Sequence, residues 1–402
     1  MKRAIILILC TAAMGLLISC GNYNNPSSST TPTSGIKKRA FVTNNFQSQI
    51  DIVNAANDTV NTTVTTDLSG ASTQTLANTV STGTTPAQMA LTPDKTLTLV
   101  FGQSANTISV ISNATESLSG QIPLADFTES FLAAPDNTTA YVAVPNAVIT
   151  GQTSGAVEVL NVVNGTLTDS IPVPRARRVV LSPDGKKLLV FADGTDQMWV
   201  IDTSTKTATT VTGFDRPVFG VFSTDNSKAF ILNCGPECGG TAAKVTVLDM
   251  ATNTTGASIP VSAATIGLLD GSNLYVAGTG AGGGKLDVIN TSSLTVTKSG
   301  VAISDGYHQR IALGSNGKLF IGSRTCNNSA QGCLSIVDTG AGTAVLSPAG
   351  GGDVTGIEPI SGRSVVYVIE GGELRIYSTT TSQQQATQID IVGKAVDVKL
   401  VD

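Results

Sequence analysis

Two short apolar motifs each recur eight times along this 402-residue chain. The first reads AFVTN, LTLVF, AYVAV, LLVFA, AFILN, LYVAG, LFIGS and VYVIE. The second follows each of these and reads IDIVN, ISVIS, VEVLN, MWVID, VTVLD, LDVIN, LSIVD and LRIYS. Both are dominated by Val, Ile and other residues that favour strands. A further strand starts near Ala87, Thr128, Ala176, Val218, Thr265, Gln309, Val354 and Ala395, at intervals of 41 to 48 residues. The clearest unit, residues 176–214, reads strand, SPDG turn, strand, short loop, strand ending in Asp202, Thr-rich turn, strand. In that SPDG turn Pro presets φ and Asp bonds back to the local backbone. The first motif is almost continuously apolar, as expected of a strand covered on both faces.

Self-similarity at this period predicts small sheets, each burying its faces against its neighbours. Some 360 residues also exceed what one ordinary core accommodates. The even spacing does not suit a two-sheet sandwich. The first unit begins directly at its second strand, Ala40–Asn44, while Lys394–Val401 adds a spare strand at the other end. A tail that completes the first unit would latch a ring and protect the sheet edges. The expected fold is therefore all-β: a β-propeller over residues 38–402, with eight four-stranded blades closed by the C-terminal strand. Seven blades is the fallback if one unit is degenerate.

The units resemble the YVTN family of propeller repeats. Phe41-Val42-Thr43-Asn44, Ser182-Pro183-Asp184-Gly185 and Val200-Ile201-Asp202 carry the likeness, which is strongest at 85–124 and 176–214. Later units depart from it, with turns Leu269-Asp270-Gly271, Ser315-Asn316-Gly317 and Ser361-Gly362. The pattern is not WD40-like, since the only tryptophan, Trp199, precedes Val200 and not Asp. The resemblance implies a fold and no particular chemistry: such propellers serve as binding proteins, surface-layer components and enzyme subunits.

The N-terminus carries a second layout. Met1-Lys2-Arg3 leads into an apolar run from Ala4 to Ile18, too short for the ~20 residues of a spanning helix and arranged like a signal peptide. Leu17-Ile18-Ser19-Cys20 resembles the lipobox of bacterial lipoproteins. That resemblance implies removal of residues 1–19, lipidation of Cys20 and loss of Cys10. Several acyl chains on one residue suffice for stable anchoring. Gly21 after the cysteine resembles the outer-membrane sorting class. Residues 20–37, rich in Asn, Ser, Thr and Pro, read as a disordered tether. The expected location is the cell envelope, lipid-anchored, at an outer membrane facing the periplasm or the cell surface.

The formal charge is −5, and two of the 24 basic residues lie in the leader, so the chain from Cys20 is more acidic still. That argues against nucleic acid, which needs a basic footprint. Four cysteines remain in the body, and in an oxidising compartment they are expected to pair locally, Cys234 with Cys238 and Cys326 with Cys333. The rival is a metal held by all four thiolates. No metal or cofactor is expected, because one histidine cannot supply a ligand set and the glycine clusters Gly282–Gly284 and Gly350–Gly352 open no helix. No Gly-x-Ser-x-Gly elbow marks a nucleophilic serine. The Asn-x-Ser/Thr triplets read as turns.

Both cysteine pairs fall between the second and third strands of their units, five and seven. In an up-and-down blade these loops share a face with the connections between blades. Long loops there are expected at Pro145–Gly155, Asn233–Ala243, Gly278–Gly284 and Ser323–Gly332. Recognition usually sits on such loops. The connections carry many of the chain's sparse charges toward the channel mouth: Asp126, Arg175, Arg177, Asp215, Arg216, Asp305, Tyr307, His308, Gln309, Arg310 and Asp353. The arginines could grip an anion with their planar forks or pair with Asp215, Asp305 and their neighbours. His308 could act as a base or sit satisfied in the structure. The leading expectation is a non-enzymatic binding or scaffold protein with a protein or glycan partner on the loop face. The alternatives are a lactonase-like hydrolase needing His308, Arg310 and Asp305 together on the axis, and a subunit of an envelope redox complex.

Overall fold

The computed structural model describes residues 32–66, 72–327, 331–348 and 351–402. The leader, Cys20 and the tether up to residue 31 lie outside them. Eight antiparallel sheets follow one another in chain order and form an eight-bladed β-propeller. Blade 1 is built from both ends of the chain: Ala395–Leu400 is innermost, then Arg39–Asn44, Gln49–Asn54 and Thr79–Ser81. The latch anticipated from the missing first strand is therefore present, with Ala40 opposite Leu400 and Val42 opposite Val398.

Blades 2 to 7 each run outward through four strands, with innermost strands Pro86–Leu91, Ser130–Ala133, Ala176–Leu181, Pro217–Phe222, Ile266–Asp270 and Tyr307–Leu313. Blade 8 has three regular strands, Val354–Pro359, Val365–Glu370 and Glu373–Ser378. Its outer edge is met only by single bridges, Leu374 with Ile389 and Tyr377 with Gln384. Blade 1 carries an additional hairpin, Thr62–Thr66 with Ser72–Leu76, between its third and fourth strands.

The apolar motifs sit where a blade is covered on both faces. In blade 4, Leu188 to Phe191 of the second strand are all buried, and Val190 and Leu189 belong to clusters facing opposite neighbours. The outermost strands are mostly exposed, as in Thr207–Val211. Aspartates stop the strands: Asp202 Oδ1 accepts the amides of Ser204 and Thr205 at 3.0 and 3.1 Å, an Asx-type turn.

Polar ties cross the closure. Arg39, almost fully buried, donates through Nε to Asp402 (2.7 Å) and through Nη1 to Glu116 (3.0 Å). Burial opposes its charge, but these hydrogen bonds outweigh it and raise its pKa. Glu116 also accepts the Ser34 amide and hydroxyl at 2.5 and 2.6 Å, and Ile36 is buried beside Phe41 and Ile111. Residues 34–36 are thus packed on the body, inside the segment expected to be tether, because Glu116 and this apolar cluster give them partners.

Candidate functional site

Near the entry of the innermost strands of blades 2, 4, 5, 7 and 8 the ladder slips, between Pro86 and Met89, Ala176 and Arg178, Pro217 and Phe219, His308 and Arg310, and Val354 and Gly356. Such a bulge re-aims side chains. In blade 4 it delivers both Arg177 and Arg178 to the axis. In blade 7 it delivers Gln309 and Arg310. These residues, with Gln88 and Glu129, line the mouth of the central channel. The channel cavity measures about 370 Å³, and innermost strands of all eight blades contribute to its wall. The rest of the wall is mixed: Phe131, Phe219, Ile266 and Ile311 stand beside Ser130, Asp397 and Lys399.

Around the mouth, loops and blade connections are bonded to one another on one face. Asp215 accepts the amides of Thr241 and Ala242 at 3.0 and 2.9 Å and the Thr241 hydroxyl at 2.5 Å. Burial alone would raise its pKa, but these hydrogen bonds lower it. Asp305 Oδ1 accepts the Asn327 amide at 3.0 Å, and Asp353 Oδ1 accepts that of Thr325 at 2.8 Å. Asp126 Oδ1 accepts the Phe127 amide at 2.7 Å. These four aspartates therefore hold backbone amides, and among the described residues none of them forms an ion pair with an arginine.

The disulfides form as expected, Cys234 with Cys238 and Cys326 with Cys333, at Cα separations of 5.8 and 5.5 Å. That removes the four-thiolate metal site. Among the described residues no group of three His, Cys, Asp or Glu is placed to hold a metal ion. The blade 5 loop is braced further: Glu237 Oε2 accepts the Thr279 amide at 2.8 Å and the Thr265 hydroxyl at 3.1 Å, from blade 6. The blade 3 loop is clamped where Gly155, at φ 128°, passes Pro174 and Arg175 so closely that a Cβ would lie 2.2 Å from the Arg175 nitrogen. The expected loop at Gly278–Gly284 is instead a lengthened hairpin, Asn273–Gly280 with Gly283–Asn290. Gly282 takes the positive φ its two-residue turn needs.

The other predicted residues divide. Arg177 donates to Glu129 Oε2 through Nε and Nη2 (2.9 and 2.5 Å) and to Asp193 through Nη1 (2.7 Å). Arg216 lies 3.8 Å from Asp196. Arg175 is exposed, and Tyr307, 40% exposed, stands at the mouth. Arg310 reaches the channel, but His308 does not line it. At 1% exposure His308 is packed inside the ring, its Nε2 2.9 Å from the Ser304 carbonyl oxygen. Burial pulls its pKa down to about 4. The set His308, Arg310 and Asp305 therefore does not assemble on the axis, because the bulge after His308 turns its side chain inward. Arg178, which follows Arg177 in the same innermost strand, was not among the residues the sequence pointed to.

No family model matches the chain, and no curated protein matches it either. Solved structures do. The chain is similar to dihydro-heme d1 dehydrogenase NirN in complex with DHE, with TM-score 0.69 and 11% identity over 93% of this chain and 79% of that one. It is similar to a functionally unknown protein from Desulfotomaculum acetoxidans DSM 771, with TM-score 0.52 and 18% identity over 78% and 96%. It is also similar to the Cps50 (Swd1) β-propeller domain of Myceliophteria thermophila, with TM-score 0.55 and 11% identity over 72% and 96%. At such identities the likeness establishes the β-propeller fold.

Proposed function

We propose that this protein is a lipid-anchored propeller of the bacterial cell envelope that binds a protein or glycan partner through its loop face, without catalysis of its own. The observation that carries the reading is the bracing of that face. Loops of blades 5 and 7 are each closed by a disulfide and capped by Asp215 or Asp305. A cross-linked loop has less conformational entropy to lose on binding. The lipobox-like Leu17-Ile18-Ser19-Cys20 supports the anchor. The inward burial of His308 takes from the hydrolase reading the base it required.

Two variants test both halves. Wild-type protein is expected in the membrane fraction and Cys20→Ser in the soluble fraction; a membrane-bound Cys20→Ser would refute the anchor. A pull-down from envelope extract should retain a partner that is lost when residues 236–241 and 327–331 are each shortened to a Gly-Ser pair. Failure to retain any partner, or retention unaffected by the shortening, counts against the loop face. A haem protein as the retained partner would move the reading to the redox subunit.

A further inference from the structure

The channel mouth holds positive charge that the protein does not neutralise. Arg177 is paired with Glu129 and Asp193, as above. Its neighbour Arg178 makes no ion pair and no hydrogen bond among the described residues. Its Nη1 is buried without a protein partner, and its guanidinium carbon lies 5.3 Å over the ring of Phe219. Arg310 donates Nε to the Thr355 carbonyl at 2.7 Å and Nη1 to that of Gln309 at 3.4 Å, and among the described residues meets no carboxylate. The acids nearby are committed. Asp397 accepts the amides of Met89 and Val398, both at 2.9 Å, and Glu358 lies 3.6 Å from Lys399. Burial lowers the Arg178 pKa, opposed by Tyr307 and Glu129, and the charges of Arg310 and Arg177 push it further down.

An unpaired guanidinium in a low-dielectric site is costly, and a buried polar atom without a partner calls for one. Guanidinium forks match carboxylate and phosphate oxygens in pairs. The same cavity is also lined by Phe131, Phe219, Ile266 and Ile311. The cavity, at about 370 Å³, lies in the range of small-molecule sites.

We propose that the channel mouth binds a small amphiphilic organic anion, its oxyanion head held between Arg178 and Arg310 and its apolar body lying down the channel against Phe131, Phe219 and Ile266. The site lies within the channel that those loops surround and does not depend on the partner proposed for them. Glu129 and Asp193 keep Arg177 engaged, so the opening admits one anionic head and disfavours a ligand that is charged at both ends.

The test is calorimetric titration of the full chain with benzoate, phenyl phosphate and neutral benzamide. The two anions carry the same ring under a planar or a tetrahedral head, so the tighter of them identifies the head as carboxylate or phosphate. Benzamide is expected to bind at least about tenfold more weakly than the better anion, since it lacks the charge that the guanidinium forks select. Arg178→Gln is expected to weaken the better anion about tenfold or more, and Arg310→Gln similarly, the usual cost of losing one charge-assisted contact. Lys186→Gln, on an exposed turn outside the channel, should leave affinity unchanged. Arg178→Gln should melt close to wild type, because loss of its contact with the Phe219 ring is offset by removal of a buried, unpaired charge. Arg178→Gln binding as tightly as wild type, benzamide matching the anions, or no binding of either anion at millimolar concentration would each overturn the proposal.

Discussion

Truncation after Lys394 is expected to abolish cooperative folding. The deleted segment is the innermost strand of blade 1, and nothing else in the chain can replace it. It buries Ala395, Val398, Leu400 and Val401 almost completely, at roughly 1.5–3 kcal/mol for each large side chain. It also supplies the Asp397 carboxylate to the Met89 amide and the Asp402 carboxylate to Arg39. Loss of Asp402 takes one of two carboxylates from the buried Arg39, which keeps Glu116, at about 1.5–3 kcal/mol for hydrogen bonds to a charged group. Together these approach the whole of a domain's usual ~5–15 kcal/mol. The check is thermal unfolding by circular dichroism with size-exclusion chromatography. A truncated chain that stays monomeric and melts cooperatively within a few degrees of wild type would show that the ring does not need its latch.

Acid should destabilise this protein partly through one residue. An unfolded histidine titrates near 6.5, whereas burial lowers His308 to about 4, against the weaker opposing pulls of the Ser304 carbonyl and the Asp305 charge. The folded state keeps the ring neutral while the unfolded chain takes up a proton. The stability linked to His308 is thus fully present above pH 6.5 and is lost as pH falls from there toward 4. At pH 4.5 that loss is on the order of 2–3 kcal/mol, at about 1.36 kcal/mol per unit. His308→Gln retains an N–H donor for the Ser304 oxygen and does not titrate. Urea unfolding at pH 7.5 and 4.5 should show a fall in stability smaller by about that amount in the variant. The carboxylates titrate alike in both proteins and cancel. Equal pH dependence would mean that His308 is not held neutral in the fold.

Much of the fold was legible because each blade repeats the same local chemistry. Phe41, Leu99, Tyr141, Leu189, Phe230, Tyr275, Phe320 and Tyr367 mark eight equivalent buried strands, and the count of blades follows from them. Three features were not legible. The hairpin Thr62–Leu76 is as Thr-rich as the turns around it, so composition does not separate strand from loop. The outer edge of blade 8 carries Gln and Thr in a stretch that pairs only at single bridges. The hairpin at Gly283 lengthens a blade where glycines suggested a loop. For the site, the gathering of charges at the blade connections could be read from spacing, and so could the disulfides, since each pair closes within one loop. The partner of each charge could not.

The sequence by itself determined the number of units, their order and the end at which the ring is latched, because each of these is local pattern or its conspicuous absence. Only the tertiary structure decided which charges are spent and which remain. Asp215 and Asp305 are engaged by amides of loops folded back onto them, and Arg177 by acids 48 and 16 residues away. Arg178 and Arg310, 132 positions apart in the chain, meet the same cavity because curvature brings blades 4 and 7 to one axis. Whether a charge is neutralised depends on distances of a few ångströms across that ring, and no periodicity along the chain encodes them.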